Sequence, residues 1–144
     1  MTNKMTMMKK IFLCAMLISL SCSDSVDADL DLCNKCVIID NTLYNIAKTG
    51  DFTVNNVLLN RDFLTIKIGA SGCSGNSWKA TLIDANQILE SNPMQRNIRV
   101  IFENNKACFA IFEKEFTFNI KKLKEDESKI ILNLENWNTQ INYN

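Results

Sequence analysis

The fold class follows from residues 60–68, which read Asn-Arg-Asp-Phe-Leu-Thr-Ile-Lys-Ile. The first three residues are typical of a tight turn. In the rest, apolar side chains recur at every second position, at Leu64, Ile66 and Ile68. A period of two indicates a β-strand with one buried face, because successive side chains of a strand point to opposite sides. We therefore expect a turn followed by a strand that faces a core.

Four more runs of the chain repeat this alternation. In each of them apolar and polar positions alternate, which again indicates a strand with one buried face. The core-facing positions expected are Ile98, Val100 and Phe102; Phe116, Phe118 and Ile120; Ile130, Leu132 and Leu134; and Trp137, Thr139, Ile141 and Tyr143. No sustained helical stripe is present, and only residues 42–48 fit a short helix.

Turn-forming residues separate these runs. Residues 71–76 form a break rich in glycine and serine, and residues 103–106 and 124–128 are expected to close hairpins. Residues 84–95, which contain the only proline, are expected to be the longest irregular stretch. Together the runs and breaks predict an all-β domain over residues 33–144: an antiparallel β-sandwich or partly closed barrel of about 7–9 short strands, pinned by disulfide bonding.

Residues 1–21 are predicted to be a signal peptide. Lys4, Lys9 and Lys10 provide positive charge ahead of an uncharged, mostly apolar run at residues 11–21. As a helix this run reaches about 16 Å, against roughly 30 Å for the hydrocarbon core of a bilayer, so it is too short for a stable transmembrane helix. A segment of this kind is removed after export.

Cys22 is the expected site of lipid attachment. The residues Ser19-Leu20-Ser21-Cys22 resemble a bacterial lipobox, although Leu20 lies one position later than in the strict box. The alternative is ordinary cleavage after Ser21, which leaves Cys22 as a plain thiol. Attached acyl chains anchor a protein stably to a membrane. We therefore expect an outer-membrane-anchored protein of the cell envelope, facing either the periplasm or the cell surface.

Residues 22–32 are predicted to be a solvated tether between the lipid and the domain. Four aspartates, Asp24, Asp27, Asp29 and Asp31, give this segment its acidic character. Ser25 lies in an Asp-Ser-Val sequence, which fits a short pattern for glycosylation of the hydroxyl group. The alternative is an unmodified tether.

Export and lipidation leave four cysteines in the domain: Cys33, Cys36, Cys73 and Cys108. An even number in an oxidising compartment indicates disulfides. Of the three pairings that can be drawn, we favour Cys33 with Cys36 and Cys73 with Cys108, because the first two lie at the start of the domain beside the tether. The alternatives for the first pair are a redox-active dithiol and half of a zinc site, and both lack their usual sequence context.

The block Ser-Gly-Cys-Ser-Gly-Asn-Ser-Trp at residues 71–78 resembles a group of small uncharacterised Bacteroidota lipoproteins. These proteins share a Ser-Gly-Cys-x-Gly-Asn-Ser-Trp block, an x-Pro-x-Gln-Arg block, here at residues 92–96, and a second cysteine after a turn, here Cys108. The resemblance covers most of residues 60–144. It implies a shared fold and a bond between Cys73 and Cys108, and it implies no activity.

Composition excludes several classes of chemistry. The chain has no histidine, which excludes Ser-His-Asp and Cys-His catalysis and every metal site that contains histidine. Its 16 basic and 16 acidic residues balance, so no basic excess indicates a nucleic-acid partner. No spacing marks two carboxylates as the pair of a hydrolase, and residues 72–76 lack the lysine of a phosphate-binding loop. We expect no catalytic residue, no cofactor and no metal.

Four residues are the candidates for ligand contact: Trp78, Asn76, Gln95 and Arg96. Trp78 has two interpretations, an aromatic platform for sugar or peptide and a ring packed in the core. The function expected is that of a non-catalytic binding or accessory module, held at a membrane by its lipid, for a glycan, a peptide or an envelope protein. The alternatives are a structural component of an envelope complex, which docks through a sheet face or edge, and a small hydrolase.

Overall fold

A computed structural model of the protein describes residues 35–105, 108–124 and 129–144. The predicted signal peptide and tether, with Cys22 and Ser25, lie outside the described residues, and so does Cys33. The predicted pairing of Cys33 with Cys36 therefore stays a prediction.

Eight strands and two short helical segments make up the described residues. In chain order they are β1 (Ile38–Ile39), α1 (Asn41–Ile46), β2 (Thr53–Asn60), β3 (Phe63–Ser71), β4 (Lys79–Leu89), β5 (Met94–Glu103), β6 (Ile111–Asn119), a 3-10 turn (Lys121–Leu123), β7 (Ile130–Leu134) and β8 (Ile141–Tyr143). The short helix expected at residues 42–48 is confirmed as α1, whose first turn is capped by Asp40, since its carboxylate accepts a 2.8 Å hydrogen bond from the Leu43 N–H.

The strands form two sheets. A three-stranded sheet has the order β2-β3-β6, and all its pairs are antiparallel. A five-stranded sheet has the order β1-β4-β5-β7-β8 and is mixed: β4–β5 and β7–β8 are antiparallel, whereas β1–β4 and β5–β7 are parallel. The predicted all-β fold is confirmed as two sheets that do not close into a barrel. The two parallel pairs are a feature that the alternation could not reveal.

The core lies between the sheets and is formed by the alternating positions. Leu64, Ile66 and Ile68 of β3 are fully buried, as the opening stretch predicts. The other expected core-facing residues that are buried are Ile98, Val100, Phe102, Phe118, Ile120, Ile130, Leu132, Leu134, Ile141 and Tyr143. Burying such side chains contributes roughly 1.5–3 kcal/mol each, so these strands hold the two sheets together.

Three expectations about the connections are wrong. The turns at residues 103–106 and 124–128 do not close hairpins, because β6 belongs to the other sheet from both β5 and β7. Residues 137–140 are not strand; the chain turns there after Asn136, whose φ is 64°. Residues 84–95 are not irregular, since β4 continues to Leu89 with a register shift after Asp84, and β5 begins at Met94.

Candidate functional site

Trp78 lies at the boundary between core and surface, immediately before β4. Its side chain is 4% exposed and meets Phe102 edge-on, with ring centroids 5.2 Å apart. Of the two interpretations of Trp78, the ring packed in the core is therefore the one observed, and the ring does not form an exposed platform. Its neighbour Asn76 is exposed in the same loop.

The glycine-rich loop before β4 is built around this indole. A β-carbon on Gly72 would lie 2.9 Å from Trp78 Nε1, and one on Gly75, where φ is +65°, would lie 3.7 Å from the ring. The disulfide between Cys73 and Cys108, which the resemblance implied, is present. The Gly72 N–H also donates a 2.9 Å hydrogen bond to the carbonyl of Ala110. The loop is thus fixed to the start of β6.

Arg96 and Gln95 lie at the opposite end of the β4–β5 hairpin. Arg96 is paired with Ile88 in the ladder, whereas Lys79, next to Trp78, is paired with Glu103. The Arg96 guanidinium is 2% exposed and donates two hydrogen bonds to the fully buried Asp84 carboxylate, at 3.0 and 2.7 Å. Gln95 is half-buried and accepts a 3.1 Å hydrogen bond from Asn133. The four predicted contact residues therefore do not form one site.

A different feature is the best candidate site: a groove of about 490 Å³ between the edges of the two sheets, which we call the seam. Its lining residues are Lys35, Trp78, Lys79, Ala80, Thr81, Lys114, Glu115, Phe116, Thr117 and Phe118. A smaller groove of about 220 Å³ extends it past Cys36; the lining residues that the two grooves share are Lys35, Ala80, Thr81 and Phe118.

On the side of the molecule where the seam lies, residues 35–39 cross from β6 of one sheet to β4 of the other. The Val37 N–H donates to the Asn119 carbonyl at 3.0 Å, and the Asn119 N–H donates to the Lys35 carbonyl at 2.9 Å. Ile38 and Ile39 then pair with β4. Beyond this crossing, the described residues leave β6 paired with β3 alone and the start of β4 paired with β5 alone.

The peptide groups of β6 that face the seam can be assigned from Asn119. Both its N–H and its carbonyl bind the crossing chain, so they point away from β3. The β3–β6 register runs without interruption from residue 111 to residue 119. Because the direction of the peptide groups alternates along an antiparallel strand, Thr117, Glu115 and Glu113 direct their N–H and carbonyl groups to the same edge.

Three of the seam's lining residues are lysines, against one acidic residue, Glu115. Lys35 and Lys79 are exposed. Lys114 lies on the inner face of β6, where its ammonium donates a 3.0 Å hydrogen bond to the Gly75 carbonyl and lies 5.1 Å from the centre of the Phe116 ring. The seam therefore presents net positive charge beside apolar and aromatic surface.

These lysines are not among the residues predicted to contact a ligand, although the sequence contains one signal for them. Phe112, Lys114, Phe116 and Phe118 occupy successive core-facing positions of a single strand. A lysine that points inward is one of the devices by which natural proteins protect an edge strand from unwanted pairing. Its position therefore could have identified β6 as an edge.

A second exposed feature lies where β6 begins. Phe109 is fully exposed and Ile111 is 81% exposed. Beside them is a shallow concavity of about 330 Å³, lined by Phe52, Ala70 and Ile111 among others. Exposed apolar side chains that cluster in this way are typical of a surface that contacts another protein.

The described part of the chain contains neither a cluster of metal ligands nor a helix that could span a membrane. Within residues 35–105, 108–124 and 129–144, no group of three or more His, Cys, Asp or Glu side chains could hold a metal ion. No helix within those ranges has the length and apolar character needed to cross a membrane.

Comparison with known proteins identifies two solved structures with a similar fold. A NigD-like immunity protein from Bacteroides caccae matches with a TM-score of 0.56 and 14% identity, over 75% of this chain and 57% of that one. A protein of unknown function, DUF1344, from Bacteroides vulgatus matches with a TM-score of 0.50 and 11% identity, over 75% of this chain and 54% of that one. No protein-family model matches the sequence, and no curated protein does. The chain thus spans little more than half the length of these solved structures, and at such identities the likeness shows the fold alone.

Proposed function

We propose that this protein is a non-catalytic binding module of the cell envelope, held at a membrane by lipid on Cys22, and that it binds a partner protein at the seam. The observation that carries the proposal is the edge of β6 beside a lysine-lined groove: within the described residues, no strand pairs with this edge between Ile111 and Thr117. An unpaired strand edge offers a row of peptide donors and acceptors to another chain. The exposed Phe109 and Ile111 at the start of that strand favour a protein over a glycan.

The proposed location in the cell envelope rests on the first part of the sequence. A short apolar run followed by a small residue and Cys22 is the pattern of an exported lipoprotein. The disulfide between Cys73 and Cys108 fits export, since such bonds persist in oxidising compartments. Replacing Cys22 by Ser should prevent acylation and release the protein from the membrane fraction. Retention of the C22S variant in that fraction would contradict lipid anchoring.

The non-catalytic role rests on composition and on the fold neighbours. The absence of histidine removes the commonest general base of hydrolytic enzymes. One neighbour has unknown function and the other is named as an immunity protein, which is consistent with an accessory role. Turnover of a peptide or glycan by the purified protein would contradict this assignment.

Binding at the seam is testable with a photo-crosslinking amino acid placed by codon expansion in the native cell. Thr81 lines the seam, and Asn142 is an exposed control at the far edge of the same sheet. We expect one envelope protein, identified by mass spectrometry, to be crosslinked from position 81 and not from position 142. Equal adducts from both positions, or none from position 81, would overturn the proposal.

The alternative role, a structural component of an envelope complex, is favoured by one observation. Phe109 and Ile111 are two exposed apolar side chains at the disulfide-linked end of β6, and we call them the apolar patch. The same crosslinker at position 109 separates the two roles. Adducts from position 109 with none from position 81 would favour docking through the apolar patch.

A further inference from the structure

We infer that the partner enters the seam as an extended, acidic segment that adds to β6 as a fourth strand of the three-stranded sheet. This inference rests on the proposed function and specifies its ligand. Recognition by strand addition takes its affinity from main-chain hydrogen bonds and its specificity from alternate side chains, so each of these two parts must be present at the seam.

The main-chain part is supplied by β6. Glu113, Glu115 and Thr117 direct their N–H and carbonyl groups to the edge that Asn119 uses to bind residues 35–37. The crossing chain occupies the edge at Asn119, and among the described residues no strand pairs with this edge from Thr117 back to Ile111. At about 3.3–3.4 Å per residue this open length is roughly 20 Å, which fits a segment of about six or seven residues.

The side-chain part is supplied by the lysines and the aromatic rings. A strand on this edge would direct alternate side chains toward the inner row of β6, which contains Lys114 and Phe116. Lys35 and Lys79 lie on the walls of the same groove. Acidic side chains are the complement of three cationic groups, and opposite charges across an interface steer association and suppress wrong partners.

Fluorescence anisotropy of a labelled peptide tests the inference on the purified full chain in detergent at low salt. The probe is Ser-Asp-Val-Asp-Val-Asp-Val-Ser with blocked ends. One comparison peptide carries lysine in place of aspartate, and another is N-methylated at alternate residues, which removes donors without changing charge. We expect the acidic peptide to bind and each comparison peptide to bind at least tenfold more weakly.

Three variants locate the binding. Lys35→Glu and Lys79→Glu should each weaken the acidic peptide about tenfold. Lys129→Glu is the matched control, because Lys129 is exposed and precedes β7, which pairs with the opposite end of β5; it should leave the affinity unchanged.

Glu115 tests the strand edge itself. Its N–H points away from β3, so Glu115→Pro removes a donor at the edge and leaves the β3 ladder intact. This variant should lose binding while keeping its thermal transition. Glu115→Ala should bind the acidic peptide about twofold more tightly, because it removes the one acidic side chain of the lining.

Several results would overturn the inference. If the lysine peptide binds as tightly as the acidic peptide, charge does not determine recognition. If the N-methylated peptide binds as tightly as the acidic peptide, the peptide does not add to β6 as a strand. A tenfold gain on changing Asp27, Asp29 and Asp31 to Asn would assign the seam to the chain's own acidic segment. A dimer in sedimentation that Lys35→Glu or Lys79→Glu dissociates would assign it to a second copy. If no peptide binds while crosslinking from position 81 persists, the inference fails and the proposed function stands; if both are absent, both fail.

Discussion

The phenol of Tyr143 donates a 2.6 Å hydrogen bond to the carboxylate of Asp62 and so ties the last strand to the turn between β2 and β3. The Tyr143 ring is almost fully buried, and the Lys124 ammonium lies 5.2 Å from its centre. This contact joins residues 81 positions apart in the chain and connects the two sheets at that end.

Tyr143→Phe should lower the free energy of unfolding by about 1.5–3 kcal/mol, the range for a hydrogen bond to a charged group. Urea unfolding monitored by circular dichroism measures this change. Tyr44→Phe is the matched control at a half-buried ring, and it should change stability by no more than about 0.5 kcal/mol. Equal effects of the two substitutions would show that the Asp62 contact contributes nothing specific.

The same tyrosine predicts a dependence of stability on alkaline pH. Burial, followed by the hydrogen bond to Asp62 and the charge of Asp62, raises the pKa of Tyr143 above its ordinary value of 10.0. The folded state therefore holds this proton more tightly than the unfolded chain does, and the resulting stabilisation is complete below pH 10 and lost as the pH rises through the folded-state pKa. The free energy of unfolding, measured at a series of pH values between 9 and 12, should fall less steeply with pH for Tyr143→Phe than for the unaltered protein. The same dependence on pH in both proteins would contradict a raised pKa of Tyr143 in the folded state.

The buried pair of Asp84 and Arg96 makes a different prediction for single and double substitutions. Arg96→Met leaves the Asp84 carboxylate buried without its partner, which should cost about 3–5 kcal/mol. Replacing both residues with apolar ones of similar volume should cost much less, because neither charge is then left unpaired. Asp84 also accepts a 2.8 Å hydrogen bond from the Asn86 N–H, so the double variant retains a small loss. Additive single and double effects in urea unfolding would contradict the pairing argument.

Gly72→Ala should destabilise the loop before β4. Its β-carbon would lie 2.9 Å from Trp78 Nε1 and 3.2 Å from Cζ2 of the same ring, and this buried indole has little freedom to move. Overpacking of this kind costs about 1–3 kcal/mol. Thermal unfolding and the emission maximum of the tryptophans report the change, and Ser74→Ala, at an exposed position of the same loop, is the control. A Gly72→Ala protein with unchanged stability and emission would show that Trp78 tolerates displacement.

Replacing both Cys73 and Cys108 by serine should destabilise the domain by about 4 kcal/mol in the chain-entropy model, given their separation of 35 residues. Chemical denaturation with and without reductant checks this value. Reductant should lower the stability of the unaltered protein toward that of the double variant. A remaining effect of reductant on the double variant would report a bond between Cys33 and Cys36, and no effect would contradict that bond.

Much of the fold could be predicted because alternation records which face of a strand is buried. Leu64, Ile66 and Ile68 are buried as expected. The sheet to which each strand belongs could not be predicted, because turn residues show only that the chain reverses. The prediction that residues 84–95 are irregular is wrong for a further reason. The charged side chains of Asp84 and of the adjoining Arg96 point into the core and form an ion pair there, so the alternation of apolar and polar residues is interrupted.

The seam could not be predicted from the sequence, because its lining residues come from separate parts of the chain. Lys79 and Lys114 come from strands in different sheets, and Lys35 comes from the crossing segment. No local pattern brings these three residues together. Of the residues expected to contact a ligand, Arg96 is buried in its pair with Asp84. Trp78 does line the seam, but its ring packs mainly against Phe102 and is almost fully buried.

The position of Lys35 has a consequence for where binding takes place. This residue lines the seam and lies three positions after the last residue of the predicted tether. From Cys22 to Lys35 even a fully extended chain spans at most about 45 Å. With lipid on Cys22, the opening of the groove cannot rise further than that from the bilayer. The protein would then sample a thin layer next to the membrane, and a partner would be captured only if its acidic segment reached into that layer.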